Sequence, residues 1–258
     1  MKEIKTLDEL HGILLNIAKV FDKICREHDI PYYMLGGTML GAIRHKGFIP
    51  WDDDMDFGVE RQYYDKLLKI LAKELPSPYK LNTMYNSSII SDACKISDDS
   101  TGMIEGSRTD IGINIDIFPL DHTNGKKGKL SKNNIVHKIG VLNAIRFSKV
   151  SDYNGIRRLV TIISKIIMPN IKSYTLIKFA NKHFISKGDS ISNLYGFWGV
   201  KETMPFSYMG TPTLYKFEDT KFYGAENYDG YLKSLYNHYM EIPPVDKRHV
   251  HLNKCWYK

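Results

Sequence analysis

Residues 50–57 read Pro-Trp-Asp-Asp-Asp-Met-Asp-Phe, with carboxylates at Asp52, Asp53, Asp54 and Asp56. Acids this dense repel one another unless a cation lies among them. On an extended chain side chains alternate faces, so Asp52, Asp54 and Asp56 are expected to share a face opposite Asp53 and Met55. Two carboxylates at i and i+2 on a strand suit Mg2+, a hard cation that takes oxygen ligands and keeps several waters. Such a site also engages substrate phosphates. The alternative is an acidic solvated turn, against which the flanking Trp51, Met55 and Phe57 argue.

A further acid, Asp116, falls in the apolar run Gly112-Ile-Asn-Ile-Asp-Ile-Phe. A buried, unpaired carboxylate costs several kcal/mol. A role as third metal ligand or general base would explain it, whereas Asp121 fits better as an acid satisfied at a strand end. The run Leu35-Gly36-Gly37-Thr38 leads from a strand into a helix. There bare backbone N–H groups can approach an anion, and Arg44 offers a fork of donors for phosphate. His249, His251 and Cys255 are spaced as three zinc ligands, with no obvious fourth.

The elements that must position these groups are partly legible. Thr6 and Glu9 have capping-box spacing, and Leu10, Ile13, Leu14, Ile17, Phe21 and Ile24 recur at helical period. A helix is therefore expected over 7–28. Strands are expected at 32–35, 54–59, 89–96 and 111–118, and helices at 39–44 and 62–75. Towards the C-terminus, strands are expected at 214–217 and 221–223, and a helix over 228–240. The aromatic stretch 195–223 holds material for a cage around a quaternary ammonium, or for ordinary core packing.

The chain has 258 residues, 43% hydrophobic and 25% charged, with net charge +7. That is ordinary globular composition and excludes disorder, collagen and a coiled coil. No apolar run reaches the roughly 18 residues of a membrane span. Residues 1–10 lack the apolar core of a signal peptide, and three scattered cysteines give no disulfide framework. These features predict a cytoplasmic protein. Residues 126–187 carry 14 Lys/Arg and the single acid Asp152, so this stretch is +13 and the remainder −6. Such asymmetry points to a polyanion or an anionic membrane. No nucleic-acid motif accompanies it, so nucleic acid is not an expected partner. Helical periodicity in the same stretch predicts a basic helical insertion at about 126–188 within a single domain spanning 1–258.

A strand with Gly-Gly, a strand with Asp-x-Asp and a later strand with one Asp resemble, in that order, the nucleotidyltransferase superfamily. Within it the block Gly36-Gly37-Thr38-x-Leu40-Gly41-Ala42-x-Arg44-His45-x-Gly47-x-Ile49-Pro50-Trp51-Asp52-Asp53-Asp54-x-Asp56 is similar to the hallmark of the LicD family. Asp116-Ile-Phe-Pro-Leu-Asp121 resembles its second block, and Phe217-Glu218-Asp219, Tyr228-Asp229-x-Tyr231-Leu232 and Tyr239-Met240-x-x-Pro243-Pro244 its C-terminal blocks, although a family Tyr-Gly-Asp-Tyr-Met reads Tyr236-Asn237-His238-Tyr239-Met240 here. The fukutin-related enzymes are distant relatives.

The resemblance implies an α+β (α/β) fold, a nucleotidyltransferase-like mixed sheet with flanking helices. It implies an Mg2+-dependent (or Mn2+-dependent) phosphotransferase. Such an enzyme moves phosphocholine or a related ethanolamine, glycerol or ribitol phosphate from a CDP-linked donor. The acceptor is a sugar hydroxyl of a lipid-linked or surface glycan of teichoic acid, capsule or lipopolysaccharide type. Asp54, Asp56 and Asp116 would hold the metal, with Asp52 beside them in catalysis. Gly36, Gly37, Thr38, Arg44, Arg248 and His251 would bind donor and phosphate. The basic insertion itself matches no family block; its charge, not the resemblance, predicts contact with anionic lipid at the inner face of the plasma membrane. Two rival readings keep the residues but change the outcome: a nucleotidyltransferase attaching NMP to a small acceptor, and a non-catalytic polyanion-binding module.

Overall fold

A computed structural model of the chain describes residues 1–104, 109–152, 154–167, 171–185, 187–196, 198–248 and 254–258. In chain order it begins with β1 (Lys2–Ile4), α1 (Leu7–Glu27), β2 (Tyr33–Met34), α2 (Gly36–Arg44), β3 (Asp56–Glu60) and α3 (Arg61–Glu74). Then come β4 (Tyr79–Asn82), β5 (Cys94–Asp98), β6 (Thr101–Ile104) and β7 (Asn114–Thr123). The basic stretch supplies α4 (Lys132–Phe147), α5 (Gly155–Ile167) and α6 (Ser173–Phe184). The chain closes with β8 (Ser190–Ser192), β9 (Thr203–Pro205), α7 (Phe206–Met209), β10 (Thr213–Phe217), β11 (Thr220–Gly224), α8 (Tyr228–Tyr236) and β12 (Lys254–Tyr257).

The fold is α+β. Its main sheet runs β2-β3-β7-β5-β4, with β8 added to β7 and β9 to β8. Only β3 and β7 pair in parallel; the other neighbours are antiparallel. The ten-residue β7 is the spine. One edge carries β3, and the other carries first β5 and then β8. Ile113, Ile115 and Ile117 are buried on one face of this spine, so Asn114 and Asp116, one residue out of phase, belong to the other.

Helix α1 buries the stripe foreseen by its spacing, Leu10, Ile13, Leu14, Ile17, Phe21 and Ile24, with Ala18 and Cys25. The Thr6 hydroxyl caps it by accepting from the Glu9 N–H at 3.2 Å. The Glu9 carboxylate reaches back one residue further than a capping box requires, to the Lys5 N–H. Helices α1 and α3 cover the sheet, and α2 packs between β3 and α8.

Several boundaries differ from the sequence expectations. Helix α2 starts at Gly36 rather than 39, because Gly36 adopts φ +48° and turns the chain at once. Helix α8 ends at Tyr236 rather than 240, where Asn237 takes φ +54°. Strand β5 begins only at Cys94. Pro119 does not end β7; there the edge beyond Cys94–Ile117 passes from β5 to β8, which joins only at Asp121, so a missing N–H is tolerated. The small sheet β1-β12-β6 joins the two chain ends and has no local sequence signature. Among the described residues no helix is long and apolar enough to cross a membrane.

Candidate active site

Asp56 opens β3 and stands in register with Asp116 on β7, and Asp116 stands in register with Lys95 on β5. The three side chains therefore form one row across three adjacent strands. The Lys95 ammonium lies 2.9 Å from Asp116 Oδ1 and donates to Oδ2 at 3.0 Å and to Asn114 Oδ1 at 2.9 Å. Asp54 precedes the row by two residues, outside the strand proper, while Met55 between them is fully buried. The core thus holds Met55 and leaves the acids on either side to the cleft. The alternation expected over 54–59 is kept even though regular pairing begins at Asp56.

The cleft is rich in negative charge. The Asp54 carboxyl is pushed up to about 8, first by desolvation and then by Asp52, Asp53 and Asp116. Its side chain stays open to solvent, so the like charges carry the direction of that shift. Asp56 is pushed well above the carboxylate range by burial, then by Asp54, Asp116 and Glu202. Lys95 offsets part of both shifts.

Helix α2 closes the cleft at its N-terminus. A β-carbon on Gly37 would lie 2.6 Å from Asp52 Oδ2, and one on Gly36 would lie 3.6 Å from both Asp56 Oδ2 and the Tyr236 hydroxyl. These two glycines let the helix start directly against the acids. Asp52 then sits where the helix dipole favours an anion. The Gly36 N–H donates to the Tyr231 hydroxyl at 2.8 Å. Thr38 turns inward, its hydroxyl accepting from the Asp56 N–H at 2.8 Å, so it fixes where Asp56 stands. Arg44 donates to the carbonyls of Tyr239 at 2.9 Å and Glu241 at 3.2 Å, tying α2 to the segment after α8. Arg248 stacks 4.3 Å above the Trp51 ring and donates to the Pro243 carbonyl, which puts it at the rim beside Asp52. His251 and His249 lie outside the described residues, and Cys255 is buried on β12.

Asp121, so similar to Asp116 in sequence, has another task. It is fully buried and takes a bidentate pair from Arg61 at 2.8 and 2.9 Å. Arg61 also holds Asp92 at 2.7 Å, and Asp92 accepts from Asn181 on α6. This network clamps the basic helices to the sheet.

Two residues of the cleft escaped the sequence reading. Lys95 had a usable signal, a lysine inside an apolar strand, the same argument that singled out Asp116. Glu202 had none, whereas Tyr231 and Tyr236 lie in the C-terminal stretches already set beside the family blocks. Glu202 is buried, accepts from the Trp198 N–H at 3.1 Å and is pushed up to about 7, chiefly by desolvation. Of the aromatic stretch, Phe217 and Phe222 are core. Trp198 remains 40% exposed and meets Tyr236 edge to face at 6.3 Å.

Whether a metal fits can be asked of the donor set. Among the described residues no three His, Cys, Asp or Glu side chains converge as a ready cluster. Among the described residues the cleft nevertheless supplies oxygen donors from Asp52, Asp54, Asp56 and Asp116, and their mutual repulsion is incompletely offset by Lys95. That combination suits a hard divalent cation arriving with its own waters and with substrate phosphates.

Comparison with known proteins gives the same direction. Residues 29–141 match the family model described as LicD/FKTN/FKRP, nucleotidyltransferase domain. The chain is 28% identical over 266 aligned residues to the lipopolysaccharide cholinephosphotransferase LicD of Haemophilus influenzae, covering 97% of each protein. An uncharacterised protein of Rickettsia typhi is 35% identical over 74 residues, 28% of this chain and 24% of that protein. One of Rickettsia prowazekii is 38% identical over 60 residues, 23% of each.

Proposed function

The chain belongs to the LicD family, and on that premise we propose that it transfers phosphocholine or a related alcohol phosphate. The donor is a CDP-linked alcohol and the acceptor a sugar hydroxyl of a cell-surface glycan. The observation that carries the reading is the in-register pair Asp56 and Asp116 with Asp54 beside it. It is reached by a chain that matches a cholinephosphotransferase over nearly its whole length.

Phosphoryl transfer asks a protein mainly for positioning and charge neutralisation. Asp54, Asp56 and Asp116 are the residues that would hold Mg2+ (or Mn2+), which when bound supplies positive charge to the donor diphosphate. Lys95 holds Asp116 in the row from the opposite strand. Thr38 holds Asp56 through its backbone N–H. Asp52, whose carboxylate lies against Gly37 at the N-terminus of α2, or Asp116 would take the proton of the attacking hydroxyl. Gly36 and Gly37 give the donor phosphates a close approach to the helix N-terminus. Arg44 braces that helix against the 239–241 segment, and Arg248 guards the rim on Trp51.

The test is phosphorus NMR of the purified chain with Mg2+ and CDP-choline, CDP-ethanolamine, CDP-glycerol and CDP-ribitol in turn. Hydrolysis to CMP, abolished by EDTA and by Asp54→Ala, is the expected result and names the headgroup. Pyrophosphate release from a nucleoside triphosphate, with all four donors inert, would replace this reading with NMP transfer.

A further inference from the structure

Helix α5 is turned inside out. The side chains that it buries are Thr161 and Ser164, whereas Ile156, Leu159, Ile162, Ile163, Ile166 and Ile167 face solvent. Ile156 is 81% exposed, Ile166 70% and Ile167 71%. At about 100° per residue these six occupy one arc of roughly 140°. The polar pair sits on the opposite side, toward α4, with which α5 packs. Thr161 satisfies itself by donating to the Arg157 carbonyl and Ser164 by donating to the Thr161 carbonyl. A helix that only had to dissolve would place the isoleucines inward and the hydroxyls outward.

We propose that α5 lies in the plane of an anionic lipid bilayer, its isoleucine arc sunk among the acyl chains. Charge selects the occupant. Arg157, Arg158 and Lys165 on the helix are all exposed, and so is Lys172 just beyond it. The whole stretch 126–187 is +13 with one acid. A second copy of this surface would be repelled by the same charge, whereas anionic headgroups are attracted to it. Length fixes the orientation. Thirteen residues make a helix of about 20 Å, short of the roughly 30 Å hydrocarbon core, so α5 rests in the interface rather than crossing. The inference stands apart from the phosphotransferase reading, since neither α5 nor its lipid takes part in that chemistry.

The test uses the full chain in flotation with vesicles of phosphatidylcholine containing about a third phosphatidylglycerol, and with pure phosphatidylcholine. The expected result is binding to the first and at least tenfold less to the second. L159S/I163S/I166S should lose at least tenfold in partition while keeping the wild-type melting temperature, because the substituted positions are exposed. R157Q/R158Q should lose the preference for anionic lipid. The native cysteines are all buried, so an environment-sensitive dye on I163C reports this face alone and should shift to the blue on anionic vesicles. Unchanged binding of the triple serine variant, or a dye that stays in water, would overturn the proposal. So would a dimer in light scattering that the triple variant abolishes, which would make the face a contact between copies. None of these readouts involves turnover, so the proposal stands or falls independently of the donor assay.

Discussion

Lys95 and Asp116 face each other across β5 and β7 with 2.9 Å between ammonium and carboxylate. The pair keeps a charge in the middle of a sheet and puts it next to Asp56. Removing the lysine strands Asp116 without its cation, which is costlier than never having had the pair. Because Asp116 is partly open to water, Lys95→Met is expected to cost about 2 kcal/mol in denaturant unfolding and to lower donor turnover. Lys95→Arg should recover most of the stability.

Asp54 and Asp56 are strained against one another and against Asp52 and Asp116. Asp56→Asn and Asp54→Asn are therefore expected to raise the melting temperature without metal, since each removes a repelled charge. Turnover should fall by about two to three orders of magnitude in the same proteins, the cost of losing preorganised electrostatics. Calorimetry and CMP release on one preparation check both halves. A variant that melts lower and works normally would remove that acid from the proposed site.

The Glu202 carboxyl moves from its ordinary 4.5 up to about 7 on folding. Between those pH values the folded chain binds the proton more tightly than the unfolded chain. Stability contributed by this group is thus greatest below about 4.5 and falls as pH rises to about 7. Glu202→Gln, which can still accept from the Trp198 N–H, should flatten that slope. It should be the more stable protein at pH 8 by an amount on the order of 2 kcal/mol. Denaturant midpoints at pH 5, 6, 7 and 8 measure it.

Asp121→Asn should separate the two acids of β7. It leaves the Arg61 guanidinium with Asp92 alone in a buried site and is expected to cost about 3 kcal/mol. Turnover per folded molecule should stay near wild type, read by titrating the folded fraction alongside CMP release.

Trp198 already carries a cation, with Lys201 Nζ 4.3 Å from its ring, and it meets Tyr236 at the cleft. If the proposed headgroup is choline, Trp198→Ala should raise KM for CDP-choline about tenfold and leave KM for CDP-glycerol nearly unchanged. Equal effects on both donors would make Trp198 a packing residue.

What the sequence by itself determined is local. The acids of 52–56 are contiguous, and their alternation around Met55 survives because a buried methionine pins the phase of an extended chain. The stripe of α1 was readable because burial of one helical face leaves a period of 3.6 in the residues. The isolated acid of 111–118 stood out because charge inside an apolar run demands a partner. What the tertiary structure decided is which partner. Asp116 and Asp121 were told apart in sequence only as a site acid and a satisfied one; that the first meets Lys95 and the second Arg61 follows from adjacent stretches of β7 pairing with different strands. Gly36 meets Tyr231 across 195 positions, and the chain ends meet through β1 and β12, contacts that leave no periodic trace. The outward face of α5 was also decided there. Periodicity states that a helix has an apolar side, but only packing against α4 decides which side the protein keeps.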